Sequence, residues 1–423
     1  MRASHPLPRC AIGAVAVTLV ACGGATDIVT PPPPPPPSGL TLVVVADAED
    51  VSSAQQLGWQ AGIPDVELLV QPADSSAAPR AFRTGPDGRI AVSDLLPRLY
   101  TVQANRWLGA EERGRLATGD DAIGFAGRSS LSVAAETRTA TIAVPASRRR
   151  SMVISEWAFN VGFVPPAGAS YPLGGYFEVY NNGDTTIYLD RMAIGKAVSY
   201  DYDIPSATCA AAAQYSNDPL GVWTLMYQVF PGGGADFPLP PGRTAVIATD
   251  AIDHGAFYPN GLDLSTADFE FIGPTDVDNP AVPNMIDTGF NPDPSGHGMF
   301  FGGLGSVAFL SRPLAETSLP KARYFGGPNL HPRIPADLLL DVVAIRTKYV
   351  APYPECPFIV HSAFDRLSFG GRGTNEQAES VHSVERKASP VSVGSRVVLL
   401  HTRTGDFDFR RGQRSVGSVP SVP

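Results

Sequence analysis

The chain has 423 residues, 43% hydrophobic and 17% charged, with a formal net charge of −9. That length allows two or three domains with cores of their own. An acidic, sparsely charged chain is ill suited to nucleic acid or to an anionic membrane surface, both of which select basic patches. The 42 glycines and 41 prolines are spread along the sequence rather than gathered in one run, as short strands joined by turns require and long helices do not tolerate.

Arg2 and Arg9 precede an apolar run over residues 11–21. A basic start, a short apolar core and small residues at its end read as a secretory signal, residues 1–21, too short to span a bilayer. Its removal leaves 30 basic residues against 41 acidic ones, a formal charge of −11. Leu19-Val20-Ala21-Cys22 resembles a bacterial lipobox. The resemblance implies that Cys22 becomes the first residue and carries several acyl chains, enough for stable anchoring. Gly23 and Gly24 follow with no Asp beside the cysteine, which in the sorting pattern of diderm bacteria implies the outer membrane. Residues 22–39 then form a stalk, because the unbroken run from Pro31 to Pro37 favours a stiff polyproline spacer.

Residues 40–147 read as a first domain. Strands are expected at Leu42-Val43-Val44-Val45, at Val66 to Val70, after the turn Thr84-Gly85-Pro86-Asp87-Gly88-Arg89, at Leu99 to Gln103 and at Thr139 to Val144. Short strands at near-regular spacing suggest a small sandwich. Gly62-Ile63-Pro64-Asp65-Val66, the Thr84 turn and Leu96-Pro97-Arg98-Leu99-Tyr100-Thr101-Val102 together resemble the carboxypeptidase-regulatory-like, prealbumin-type β-sandwich. The likeness implies a spacer or binding platform without a catalytic site of its own. Residues 106–127, with Glu111, Glu112, Asp120 and Asp121, do not fit that pattern and read as an excursion between strands, a solvated loop before a metal site. Arg148-Arg149-Arg150 reads as a charged linker between domains.

The second domain is expected over residues 152–409. Met152 to Trp157 opens a strand, and Tyr176-Phe177-Glu178-Val179-Tyr180 has the period-2 pattern of a strand with two distinct faces. Asn182-Gly183-Asp184 is a strong hairpin signal, with residues 185–189 as the return strand. Leu239-Pro240-Pro241-Gly242 turns into an apolar strand at residues 244–248. Ile154-Ser155-Glu156, the Tyr176 stretch and the Pro-Pro-Gly turn resemble the lamin-tail family, which implies an immunoglobulin-like sandwich, here with long loop insertions. Together with Leu264 to Glu270, Asp278 to Asn284 and Ser383-Val384-Glu385-Arg386-Lys387, they also resemble an uncharacterised family of bacterial surface lipoproteins that carries no activity to transfer. The expected fold is therefore all-β, two β-sandwich domains in tandem, with a disordered tail over residues 410–423.

Candidate functional residues are sparse. Asp276, Asp278 and Asp293 lie in a loop-rich stretch and offer hard oxygen ligands suited to Ca²⁺, although no EF-hand spacing is present and the turn chemistry of such residues is the preferred reading. The histidines are dispersed, with no zinc-binding pair at helical spacing. No nucleophile elbow or Walker motif occurs. Cys209 and Cys356 remain once Cys10 leaves with the signal and Cys22 is lipidated, an even pair in an oxidising compartment and an expected disulfide. Tyr202 and Trp223 are the loop aromatics with the best prospect of touching a ligand; the competing reading makes them core cover. The expected protein is a non-enzymatic outer-membrane lipoprotein, a binding or accessory subunit whose partner is an outer-membrane transporter. A carbohydrate-binding adhesin using aromatics or Ca²⁺ on a surface glycan, and a hydrolase with acids converging in space, are the alternatives.

Overall fold

The computed structural model describes residues 39–158, 162–164, 169–171, 174–198, 209–258, 261–273, 277–288, 306–323, 330–347, 360–366, 368–372 and 382–419. Cys22 and the proline run lie outside them. The protein is all-β, built from two pairs of stacked sheets.

In the first pair, Leu40–Ala46 lies between Arg89–Val92 and Thr139–Val144, pairing in parallel with the latter. Facing it is a five-stranded sheet ordered Arg80–Arg83, Glu67–Pro72, Arg98–Trp107, Ala122–Val133 and Ala146–Arg148. Alternation puts Leu68 and Val70, and Tyr100, Val102 and Ala104, into the core with Leu42, Val44, Ile142 and Phe125. The two motif turns of this half interlock. Buried Thr84 accepts a hydrogen bond from the Val66 amide at 2.9 Å and donates to the Ile63 carbonyl at 3.0 Å. Gly88 adopts a φ of +74°, and a Cβ there would stand 2.6 Å from the Gly62 backbone, so both positions require glycine.

Residues 108–121, with Glu111, Glu112, Asp120 and Asp121, do form an excursion between two strands, but the excursion is shorter than the expected 106–127. It carries the short helix Ala110–Arg115, while residues 106–107 end one central strand and residues 122–127 begin the longest strand in the sheet. Residues 122–127 are buried on both faces, which erases the alternation that marks a half-buried strand. Arg148-Arg149-Arg150 does join the first half to the second, and two of its arginines are ion-paired. Arg148 ends a strand and reaches Asp50 at 2.7 Å and Asp120 at 2.8 Å, while Arg149 pairs with Asp184 at 2.7 Å.

The second pair begins with a six-stranded sheet: Phe269–Glu270, Thr244–Ala248, Tyr176–Asn181, Met152–Ala158, His382–Arg386 and Phe409–Gln413. Its partner runs Lys321–Arg323, Leu330–Pro335, Gly221–Val229, Ala193–Ala197, Ser306–Ser311, Leu339–Thr347 and Phe369–Arg372, with Ile286–Asp287 also on Gly221–Val229. Trp157 stacks on Phe177 between the sheets, ring centroids 4.9 Å apart, among Ile154, Val179, Ile194, Leu310 and Val343. The larger sheet buries its other face as well, where its Val222, Tyr227, Phe309 and Ile334 pack with Leu319 and Val360.

The expected Tyr176 hairpin does not form. Tyr176–Asn181 pairs with Met152–Ala158 and Thr244–Ala248, whereas Ile187–Tyr188 crosses to Pro238–Leu239. Asn181 and Asn182 act as clasps: Asn181 accepts from the Gly183 amide at 3.0 Å while donating to the Leu239 carbonyl at 2.7 Å, and buried Asn182 bonds both backbone groups of Leu399. The tail reading is also corrected in part, since Phe409–Gln413 is an edge strand paired with His382–Arg386 and Ser415 and Gly417 are bonded to the sheet, while residues 420–423 lie outside the described residues.

Residues 37–423 form one compact body. The hairpin of Ala388–Val393 and Arg396–Leu399 carries Val391 and Val398 onto Ile123 and Trp107 of the first half, and Leu400 and Phe407 onto Ala126. Arg128 pairs with Asp406, Arg366 with Asp47 and Arg403 with Glu49 across the same seam.

Candidate functional site

Beside this seam a buried charge network supports a small cleft. Arg386, 1% exposed, donates to the Ile154 carbonyl at 2.9 Å and the Leu400 carbonyl at 2.8 Å, and meets Asp341 at 2.5 Å and Asp408 at 3.6 Å. Its guanidinium also lies 4.3 Å from the Phe409 ring centre. Burial pushes the Asp341 carboxyl up, but the Arg386 charge and further hydrogen bonds outweigh it and hold the group below the usual carboxylate range. The free side of Asp341 faces His401, whose Nε2 lies 3.4 Å from Oδ1. A carboxylate so placed fixes the orientation of the imidazole ring.

The cleft, about 330 Å³ in volume, opens beside His401. Arg150, Arg312 and Arg403 stand on its walls with Asp337, and Leu339, Val342, Phe364 and Pro219 give it an apolar lining. Arg403 is committed to Glu49 and, at 3.7 Å, to Asp50. Arg150 and Arg312 are exposed and form no ion pair with a described residue. Two of the wall residues, Arg150 (φ +49°) and Arg403 (φ +57°), hold left-handed backbone that disfavours any side chain but glycine. Such strain persists where surrounding contacts over-determine it, commonly around ligand clamps.

A second polar cluster lies on the outer face of the six-stranded sheet. Register places Glu178 opposite Glu156, Glu156 opposite Glu385, and Glu385 opposite Arg410, a row across four strands. Arg410 answers Glu385 at 2.8 Å. Glu156 accepts from the Tyr176 hydroxyl at 2.8 Å and from the Ser415 hydroxyl at 3.2 Å. Glu178 is fully buried; one oxygen accepts from the Gly417 amide at 2.5 Å, and the other has no partner among the described residues. Burial, then the neighbouring Glu156 charge, pushes the Glu178 carboxyl up to about 9, and burial raises Glu156 as well. Glu178 is thus held as the neutral acid near neutral pH.

Trp223 lies in the strand Gly221–Val229 and is tied to its neighbours: its indole N–H donates to Asp218 at 3.0 Å, Arg333 lies 5.6 Å from its ring centre, and Tyr215 packs against it in a T-shaped arrangement. Asp278 is exposed and accepts from Asn284 at 2.6 Å. Tyr202, Asp276 and Asp293 lie outside the described residues, and among those described no three His, Cys, Asp or Glu side chains converge as a metal site requires. Cys209 opens the helix Cys209–Ser216, and its expected partner Cys356 lies outside the described residues. Arg150 was visible to sequence reading as charge, whereas Arg312, Asp341 and His401 carry no local motif.

The molecule is therefore a two-part, multi-sheet β protein with a cationic, apolar-walled cleft next to its internal seam. Residues 240–310 match the family model described as a protein of unknown function, DUF4876. The fold is similar to a crystal structure of a DUF4876 family protein from Bacteroides thetaiotaomicron, with TM-score 0.51 and 16% identity over 91% of this chain and 99% of that one. At that identity the likeness is one of fold, and both findings point to an uncharacterised family. No curated protein matches the chain.

Proposed function

We propose that the protein is a lipid-anchored binding protein of the outer membrane, a non-enzymatic accessory subunit that presents its cleft to a ligand. Cys22 supplies the anchor, the proline run from Pro31 to Pro37 spaces the body from the bilayer, and an outer-membrane transporter is the partner. The observation that carries the binding role is the cleft of about 330 Å³, a volume within the ~300–1,000 Å³ range of small-molecule sites. It stands on a buried, fully ion-paired support, the rigid backing a binding site needs. Use of Trp223 in an internal clasp weighs against the carbohydrate-binding alternative.

Cross-linking of the lipidated protein in its native outer membrane, followed by mass spectrometry, tests this role. One barrel protein recovered in fixed ratio is the expected result. A Cys22→Ser chain that still fractionates with the outer membrane would remove the anchor from the account.

A further inference from the structure

The cleft combines two features that a general binding role does not require. Its walls carry excess positive charge: Arg403 is answered by Glu49 and Asp50, and Asp341 by Arg386, which leaves Arg150 and Arg312 without an ion pair to a described residue. Of the acids, Arg150 feels only the fields of Asp121 and Asp341, and Asp337 stands on the same wall. A guanidinium presents paired N–H donors matched to a planar oxyanion, and its weak hydration makes that exchange favourable. The remaining wall is apolar, formed by Leu339, Val342, Phe364 and Pro219. A bare inorganic anion would leave this surface uncovered, and a neutral apolar molecule would leave two cations unanswered. His401, set by Asp341 at 3.4 Å, adds a polar contact whose orientation is fixed in advance.

We infer that the cleft binds a small organic carboxylate with an apolar body, its acid group held by Arg150 and Arg312 and its body against Phe364 and Leu339. The inference rests on the binding role proposed above and names the ligand class for that same site. Arg150 is the sharper determinant, because its left-handed backbone commits the residue to one geometry at the cleft wall.

Titration calorimetry of the full lipidated chain in detergent, with benzoate, benzamide and inorganic phosphate as probes, tests the assignment. Benzoate is expected to bind, with benzamide and phosphate at least tenfold weaker. Arg150→Ala and Arg312→Ala are each expected to weaken benzoate tenfold or more, and Arg150→Lys to restore only part of the loss, since an ammonium lacks the paired fork. Both arginines are exposed, so unchanged melting temperatures are expected and separate lost binding from lost folding. Equal binding of benzamide and benzoate, equal binding of phosphate, unaffected variants, or no binding of any probe would each overturn the inference. Membrane cross-linking to a barrel protein would survive all of those outcomes, so failure of the ligand class is distinguishable from failure of the accessory role.

Discussion

Glu178→Gln should stabilise this protein, and increasingly so as the pH rises. The unfolded chain releases the Glu178 proton near 4.5, whereas the folded protein keeps it up to about 9. The sign follows: stability is full below the lower value and is lost as pH climbs toward the upper one, because only the unfolded state has shed its proton. Each pH unit in that window costs the folded state about 1.4 kcal/mol, so the penalty is of order 3 kcal/mol at neutral pH. Glutamine keeps the shape, can still accept from the Gly417 amide, and carries no charge to oppose Glu156, Glu385 or Asp268. The variant should match the parent near pH 4.5 and exceed it at pH 8 to 9, read as urea midpoints at pH 5, 7 and 9. The Glu156 charge helps to raise Glu178, so Glu156→Gln combined with Glu178→Gln should gain less than the two single changes together. Parallel stability curves for parent and variant across that range would refute the reasoning.

Three further outcomes are expected. Arg386→Met should cost about 3–5 kcal/mol in chemical unfolding, because Asp341 and Asp408 would remain buried without their cation; a loss below about 1 kcal/mol would mean the network is not a support. Ending the chain after Gln413 should remove the Ser415 and Gly417 donors from the glutamate row and admit water to it. Overall stability should then fall while its dependence on pH flattens, and an unchanged pH slope would show that the strap does not bury the row. Mass spectrometry without reductant should recover Cys209 and Cys356 in one linked peptide pair, and two free thiols would end that assignment.

What could be read from the sequence was local. The Thr84 motif announced its turn because the turn closes on itself, with the Gly85 amide donating to the Arg89 carbonyl and the Gly88 amide to the Gly85 carbonyl. Its lock onto Gly62 and Ile63 is long-range and was not legible. The Tyr176 stretch was legible as a strand from its own alternation. Its hairpin was not, because Asn182-Gly183 sits where the Asn182 side chain is taken up by the backbone of Leu399 and Arg149, both distant in sequence. Residues 122–127 were missed because the second half covers the face that an isolated sandwich would expose to water. The glutamate row is a property of register: Glu156, Glu178 and Glu385 are neighbours only once three strands distant in sequence have aligned.

The same reasoning explains why the cleft had no signature and why it must be tested at its rim. Its support is the junction itself: Arg386 ties the Ile154 and Leu400 carbonyls to Asp341, Asp341 sets His401, and Arg403 reaches Glu49 and Asp50 of the first half. Such groups serve folding and site geometry together, so replacing Asp341, Arg386 or Arg403 would lower stability and binding at once and separate nothing. Arg150 and Arg312 differ in kind. They are exposed, make no ion pair with a described residue, and line the cleft without supporting the core. A loss of ligand at those two positions, with folding unchanged, would belong to recognition alone.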